Sequence, residues 1–137
     1  MTFFKKKIIK YSFIFLITIT LLLSKASAEP TTNEGNFSIT NENKTATGVA
    51  FNPLGTKMYV VGIDVSGSNA SIAQYSLSEP FNVSTSVLDE NLVISAKESR
   101  PQGIKFSADG LKVLVLGTTG DGVDVWDLTK PYDITTL

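Results

Sequence analysis

The segment Thr47 to Gly62, Thr-Gly-Val-Ala-Phe-Asn-Pro-Leu-Gly-Thr-Lys-Met-Tyr-Val-Val-Gly, returns 55 positions later as Gln102 to Gly117. Such a period constrains the fold more than composition does, because each copy is one supersecondary unit whose apolar face the next copy covers. Each copy reads as a short apolar strand (Gly48 to Phe51, Gly103 to Phe106), a turn closed by Gly55 or Gly110, and a return strand (Lys57 to Val61, Lys112 to Leu116) ending at Gly62 or Gly117. The turns Asn52-Pro53-Leu54-Gly55 and Ser107-Ala108-Asp109-Gly110 place glycine where a left-handed residue is needed. The pattern is a β-hairpin written twice.

The repeat extends in both directions. Ser71 to Leu77 and Gly122 to Leu128 form a third strand, with Ile72, Gln74, Val123 and Val125 on one face and Tyr75 and Trp126 on the other. A Pro-aromatic connector follows, Pro80-Phe81 and Pro131-Tyr132, whose aromatic should pack down on the sheet edge. Asn36 to Thr40 aligns with Asn91 to Ser95 as a fourth strand. Four short antiparallel strands per unit are the pattern of a β-propeller blade, so the expected fold class is all-β, two blades of an incomplete propeller. The expected organisation is residues 1–28 as a signal peptide, 29–35 as a flexible lead-in, 36–90 as the first repeat and 91–137 as the second, which lacks its fourth strand. Asn41 to Thr47 and Ala96 to Gln102 read as polar connectors. The expected core is Val49, Phe51, Val60, Ile72 and Leu77 with Ile104, Phe106, Val115, Val123 and Leu128. The opening strand, Asn36 to Thr40, should pair with a third strand.

Gly48, Phe51, Gly55, Thr56-Lys57 and Met58-Tyr59-Val60-Val61-Gly62, followed by Gln74-Tyr75-Ser76-Leu77-Ser78 and Pro80-Phe81-Asn82-Val83-Ser84-Thr85, resemble exported bacterial β-propeller proteins with YVTN-like or lactonase-like repeats. The resemblance covers Asn36 to Leu137. It implies a propeller fold and leaves activity open, since one fold hosts many functions.

The first 28 residues carry the three parts of a secretory leader: Lys5 to Lys10 as a basic region, Phe13 to Leu23 as an apolar stretch and Ala26-Ser27-Ala28 as a cleavage site. The apolar stretch is well short of the ~20 residues that span a bilayer. The expected product is periplasmic or secreted, cleaved after Ala28, and meets the membrane only during export. From Glu29 onward seven basic residues face thirteen acidic ones, a net charge of −6. That field repels polyanions, so nucleic acid is not an expected partner.

The chain has no His and no Cys, which removes imidazole and thiolate ligands and the commonest general base. Asp121, Asp124, Asp127 and Asp133 lack the alternating oxygen ligands and fixed glycine of a calcium loop, and Asp89-Glu90 has no indicated cleft to flank. No catalytic residue, metal ligand or cofactor is therefore expected. The expected function is a non-catalytic binding or scaffolding module of the cell envelope that takes a protein or carbohydrate ligand at one rim, through Asp64, Ser66, Ser68, Asn69, Arg100 and Asp121. The alternative is a fragment of a lactonase-like hydrolase, which needs an activated water. Two blades fall short of the four to eight that close a propeller. The chain is then either the front of a longer propeller, which the end inside a connector favours, or a unit that closes a ring as a homo-oligomer.

Overall fold

A computed structural model of the chain describes residues 35–137. The expected signal peptide and residues 29–34 of the lead-in lie outside the described residues. The described chain is all-β. Strands β1 (Asn43–Phe51), β2 (Lys57–Asp64), β3 (Ala70–Leu77) and β4 (Ser86–Val93) form one antiparallel sheet in sequence order, and β5 (Pro101–Phe106), β6 (Lys112–Gly117) and β7 (Val123–Asp127) form a second. These are the two blades, the second with three strands, and they do not close into a barrel.

Alternation along the strands sorts side chains between faces. Pairing of Tyr59 with Gln74 and of Val61 with Ile72 sends these residues to one face of the first sheet, while Met58, Val60, Ala73 and Tyr75 go to the other. In the second sheet Phe106, Val113 and Trp126 are aligned, as are Ile104, Val115 and Asp124. The core lies between the sheets: Tyr59, Val61 and Ile72 meet Val113 and Val115, with Ile104, Phe106 and Trp126 packed against them. A second cluster, Met58, Val60, Ala73, Tyr75 and Leu77, lies on the far face of the first sheet under Phe37, Ile39, Phe51 and Val83.

Of the expected core, Val60, Ile72, Leu77, Val115 and Leu128 are buried and Phe51, Ile104 and Phe106 half-buried. Val49 and Val123 are corrected: they are 58% and 55% exposed. Val49 shares the far face of the first sheet and Val123 the outer face of the second, faces that no further sheet covers among the described residues.

Two strand expectations are corrected as well. Residues 36–39 form no strand: β4 occupies the outer edge of β3, and they do not pair with β7 at the edge of the second sheet. Instead Phe37 meets Tyr75 edge-on at 5.2 Å, and a turn closes where the amides of Glu42 and Asn43 donate to the Ile39 carbonyl. The polar run Asn43 to Thr47 belongs to β1 rather than to a connector, bulged between Asn43 and Thr45 and again between Ala46 and Gly48. Its bulges absorb residues that do not alternate, which hides the strand from a period-two reading. β4 starts at Ser86, so the line drawn between residues 90 and 91 falls inside it.

The Pro-aromatic connectors act as expected in both repeats. The amides of Phe81 and Tyr132 donate to the carbonyls of Gly55 and Gly110 at 2.9 Å, and each ring lies across that glycine, where a Cβ would strike it. Gly55 and Gly110 are left-handed, at φ 70° and 73°, so turn and plug both require glycine. Each plug also leans on the half-buried Phe at the end of its own first strand, Phe51 for Phe81 and Phe106 for Tyr132, at 5.5 Å.

A loop rim as candidate binding site

Antiparallel order puts the turns Asn52 to Thr56 and Ser107 to Leu111 at one end of the sheets. The other end collects the loop from Asp64 to Asn69, the loop from Thr118 to Gly122 and the connector from Ile94 to Arg100. All six expected site residues lie at this second end, but their roles differ.

Asp64 closes its own loop. Its carboxylate accepts from the Ser66 hydroxyl at 2.5 Å, the amides of Ser68 and Asn69 at 3.3 and 3.2 Å, and the Asn69 side-chain amide at 2.9 Å. The hydrogen bonds from Ser66 and Asn69 hold its pKa far below the usual carboxylate range. Asp64, Ser66 and Asn69 are thus committed to loop geometry, which leaves Ser68 exposed at the tip beside the left-handed Gly67. On the other loop Asp121 is exposed and left-handed at φ 52°, next to Gly120 at φ 77°. Arg100 is exposed, and its guanidinium makes no ion pair among the described residues.

The residue that builds this rim escaped the sequence reading. Glu98 is fully buried, and its Oε1 accepts from the Arg100 amide at 2.5 Å and the Thr119 amide at 3.4 Å. Thr119 ties the second loop to the connector through Ser99, whose amide and hydroxyl both lie on its hydroxyl at 3.1 and 2.8 Å, and the Thr118 amide donates to the Arg100 carbonyl at 3.1 Å. Burial raises the Glu98 pKa, but the hydrogen bonds from Thr119 and the Arg100 amide outweigh it and the net shift is downward. Asn43 occupies the equivalent place in the first blade, 2% exposed. The signal was present at the repeat offset: Asn43 and Glu98 align, as do Gly62 and Gly117; Glu98 lies where a Cβ on Gly117 would stand, and the Asn43 Oδ1 lies 2.9 Å from where a Cβ on Gly62 would stand.

The depressed carboxyls make a pH prediction with a definite sign. A carboxyl whose folded pKa lies below its unfolded value contributes stability above the unfolded pKa and loses it as pH falls through the folded one. Asp64, Asp89, Glu98, Asp109 and Asp133 are all shifted down. The thermal midpoint should be flat from pH 7 to about 5 and drop below about pH 4, where ordinary carboxyls titrate. An Asp64→Asn, Glu98→Gln double variant should show a shallower acid slope. A midpoint rising on acidification would contradict it.

Among the described residues no three acidic side chains gather as a metal site would require. Two open spaces lie away from the rim: a groove of about 540 Å³ over the far face of the first sheet, lined by Phe37, Ile39, Val49, Met58, Val60 and Val83 among others, and one of about 390 Å³ between β1 and β5. Comparison with protein-family models, curated proteins and solved structures finds no match.

Proposed function

We propose that the chain is an exported, non-catalytic binding or scaffolding module of the cell envelope, resembling YVTN-like propeller repeats, that engages a protein or carbohydrate ligand through its loop rim. One observation carries the reading: the rim spends its buried carboxylate, Glu98, and its loop carboxylate, Asp64, on holding loops in place, while Arg100, Ser68 and Asp121 are left pointing to solvent from three tethered segments. A rigid frame presenting a few polar groups is the build of a recognition surface, since preorganised loops bind without the cost of ordering them.

The test has two arms. Residues 1–137, expressed in a bacterial host, are followed by cell fractionation, and the exported product is assayed for binding to isolated cell-envelope preparations and a glycan array. Export and binding that falls at least tenfold in an Arg100→Ala, Asp121→Ala variant with unchanged thermal midpoint are expected. Retention in the cytoplasm, or full binding by the rim variant, overturns the reading.

A further inference from the structure

The sequence holds two Asp-Gly pairs, Asp109-Gly110 and Asp121-Gly122, and no Asn-Gly pair. Aspartate before glycine is the dipeptide most open to attack on itself. The glycine nitrogen is shielded by no side chain of its own residue, so it can reach the aspartyl side-chain carbonyl carbon. Local structure sets three conditions for that attack. The nitrogen must carry no hydrogen bond, the carboxyl must be able to take up a proton so that water can leave, and the chain must be free to turn about the aspartyl Cα.

Asp109-Gly110 meets none of them. The Gly110 amide donates to the Ser107 carbonyl at 2.9 Å, and the Asp109 carboxylate accepts from the Ser107 hydroxyl at 2.5 Å and the Leu111 amide at 3.0 Å. Those hydrogen bonds hold the Asp109 pKa down and keep the carboxyl in the ionised form, which has no leaving group. The Tyr132 ring lies 2.3 Å from where a Cβ on Gly110 would stand, and the Tyr132 amide donates to the Gly110 carbonyl at 2.9 Å, so the plug pins the turn. Asp121-Gly122 differs at each point. Asp121 is exposed, and among the described residues neither its carboxyl nor the Gly122 amide carries a hydrogen bond. Asp121 is left-handed at φ 52°, a conformation that a residue with a side chain holds at a cost. Around it the loop is open: a Cβ on Gly120 would meet nothing within 4 Å, and one on Gly122 only the Gly120 carbonyl at 3.9 Å.

We infer that Asp121 is a self-modification site, at which the folded chain converts aspartate to isoaspartate, and that the fold protects Asp109 from the same reaction. The Gly122 nitrogen bonds to the side-chain carbonyl carbon of protonated Asp121. The nitrogen gives up its proton, the carboxyl hydroxyl leaves with it as water, and a cyclic imide forms. Water then adds to the imide and breaks one of its two carbonyl–nitrogen bonds. Opening at the side-chain carbonyl restores aspartate. Opening at the main-chain carbonyl leaves the backbone running through the former side chain, with the α-carboxylate as the branch. One water is released and one consumed, so no oxidant or cofactor enters. The product keeps its charge but has one more backbone carbon inside the loop that the Gly117 amide closes on the Gly122 carbonyl at 3.2 Å, which re-aims the exposed carboxylate. The reaction does not depend on what the rim binds.

The two pairs serve as each other's control. The purified chain is held in mildly acidic, heavy-oxygen water below its thermal midpoint, digested, and mapped by fragmentation that separates isoaspartate from aspartate. Isoaspartate at residue 121 should exceed that at residue 109 by at least about tenfold, which corresponds to about 1.4 kcal/mol of local protection. The carboxylate formed at residue 121 should carry the heavy oxygen. In denaturant the two sites should react at similar rates, because the fold no longer separates them. Gly122→Ala should suppress the reaction at residue 121 with the thermal midpoint unchanged, since the methyl has room and shields the nitrogen. Comparable isoaspartate at both sites of the folded chain, none at residue 121, a difference that persists in denaturant, or undiminished reaction in Gly122→Ala would each overturn the inference.

Discussion

Tyr59→Ala should lower stability by about 3 to 5 kcal/mol, the range for truncating a large buried aromatic. Tyr59 is fully buried at the centre of the cluster between the blades, 4.3 Å from Phe106 between ring centroids. Its hydroxyl donates to the Tyr132 carbonyl at 2.5 Å, so one side chain fastens the first sheet to the core and the plug of the second. Burial and the nearby Asp133 carboxylate push its phenol pKa up, so it remains a donor at any working pH. Tyr59→Phe keeps the ring contact and should cost about 1 kcal/mol, the net value of a hydrogen bond, more if the Tyr132 carbonyl stays unpaired. Denaturant unfolding measures both. If Ala and Phe cost the same, the hydroxyl and not the packing would hold the blades together. If neither moved the midpoint, the stacking of the sheets would be wrong.

The same residue shows what the sequence made legible. The strands, turns and Pro-aromatic plugs could be read because each depends on local chemistry that recurs: alternation, glycine at a left-handed turn position, proline ending a ladder. Facing could also be read within the third strand, where Ile72 and Gln74 part from Tyr75 and Val123 and Val125 part from Trp126. Alternation says which residues share a face, but not whether another sheet covers that face, and this is why Val49 and Val123 were expected inside. The fate of residues 36–39 was hidden for a related reason. Their resemblance to Asn91 to Ser95 is real, yet β4 fills the edge of β3, and residues 36–39 pack on the far face of the first sheet rather than along β7. The site was legible in location and not in role. Loop position follows from strand order, but only coordinates reveal that Asp64 is saturated by its own loop. They likewise reveal that Glu98, an unremarked acid in a polar connector, is the buried anchor.

Gln74 shows a buried polar group serving the fold across the repeat. It is 1% exposed; its side-chain amide donates to Asp89 at 3.1 Å and its carbonyl accepts from the Ile134 amide at 2.9 Å, which joins the third strand of the first blade to the last turn of the second. Lys57 reaches the same Asp89 oxygen at 2.8 Å. Val125, the counterpart of Gln74 in the third strand of the second blade, has no such duty and is exposed on the outer face. A polar residue can be buried in a strand when every partner is supplied, and here a buried hydrogen bond does between blades what apolar contact does elsewhere.

Gly117→Ala should be nearly as damaging as loss of a core aromatic, and a second mutation should relieve it. A Cβ at Gly117 would overlap the Glu98 carboxyl group, so the side chain must leave its seat or β6 must shift. Overpacking of this kind costs about 1 to 3 kcal/mol, and expelling Glu98 also leaves the Arg100 and Thr119 amides without their acceptor. Glu98→Ala alone forfeits the same acceptor but empties the space that the new methyl needs. The Gly117→Ala, Glu98→Ala double variant should therefore be more stable than the sum of the single effects predicts, with a coupling of about 0.5 to 3 kcal/mol, typical of residues in direct contact. Gly62 and Asn43 repeat the arrangement in the first blade, where the Cβ would also press on the Thr45 carbonyl and the Ala46 Cα. Backbone cannot be removed by a side-chain mutation, so Asn43→Ala should rescue Gly62→Ala far less. Chemical denaturation of the two cycles measures the contrast. Additive effects at Gly117 and Glu98 would mean that the buried carboxylate does not rest on that glycine, and equal rescue in both blades would mean that the bulges of β1 yield more easily than its register implies.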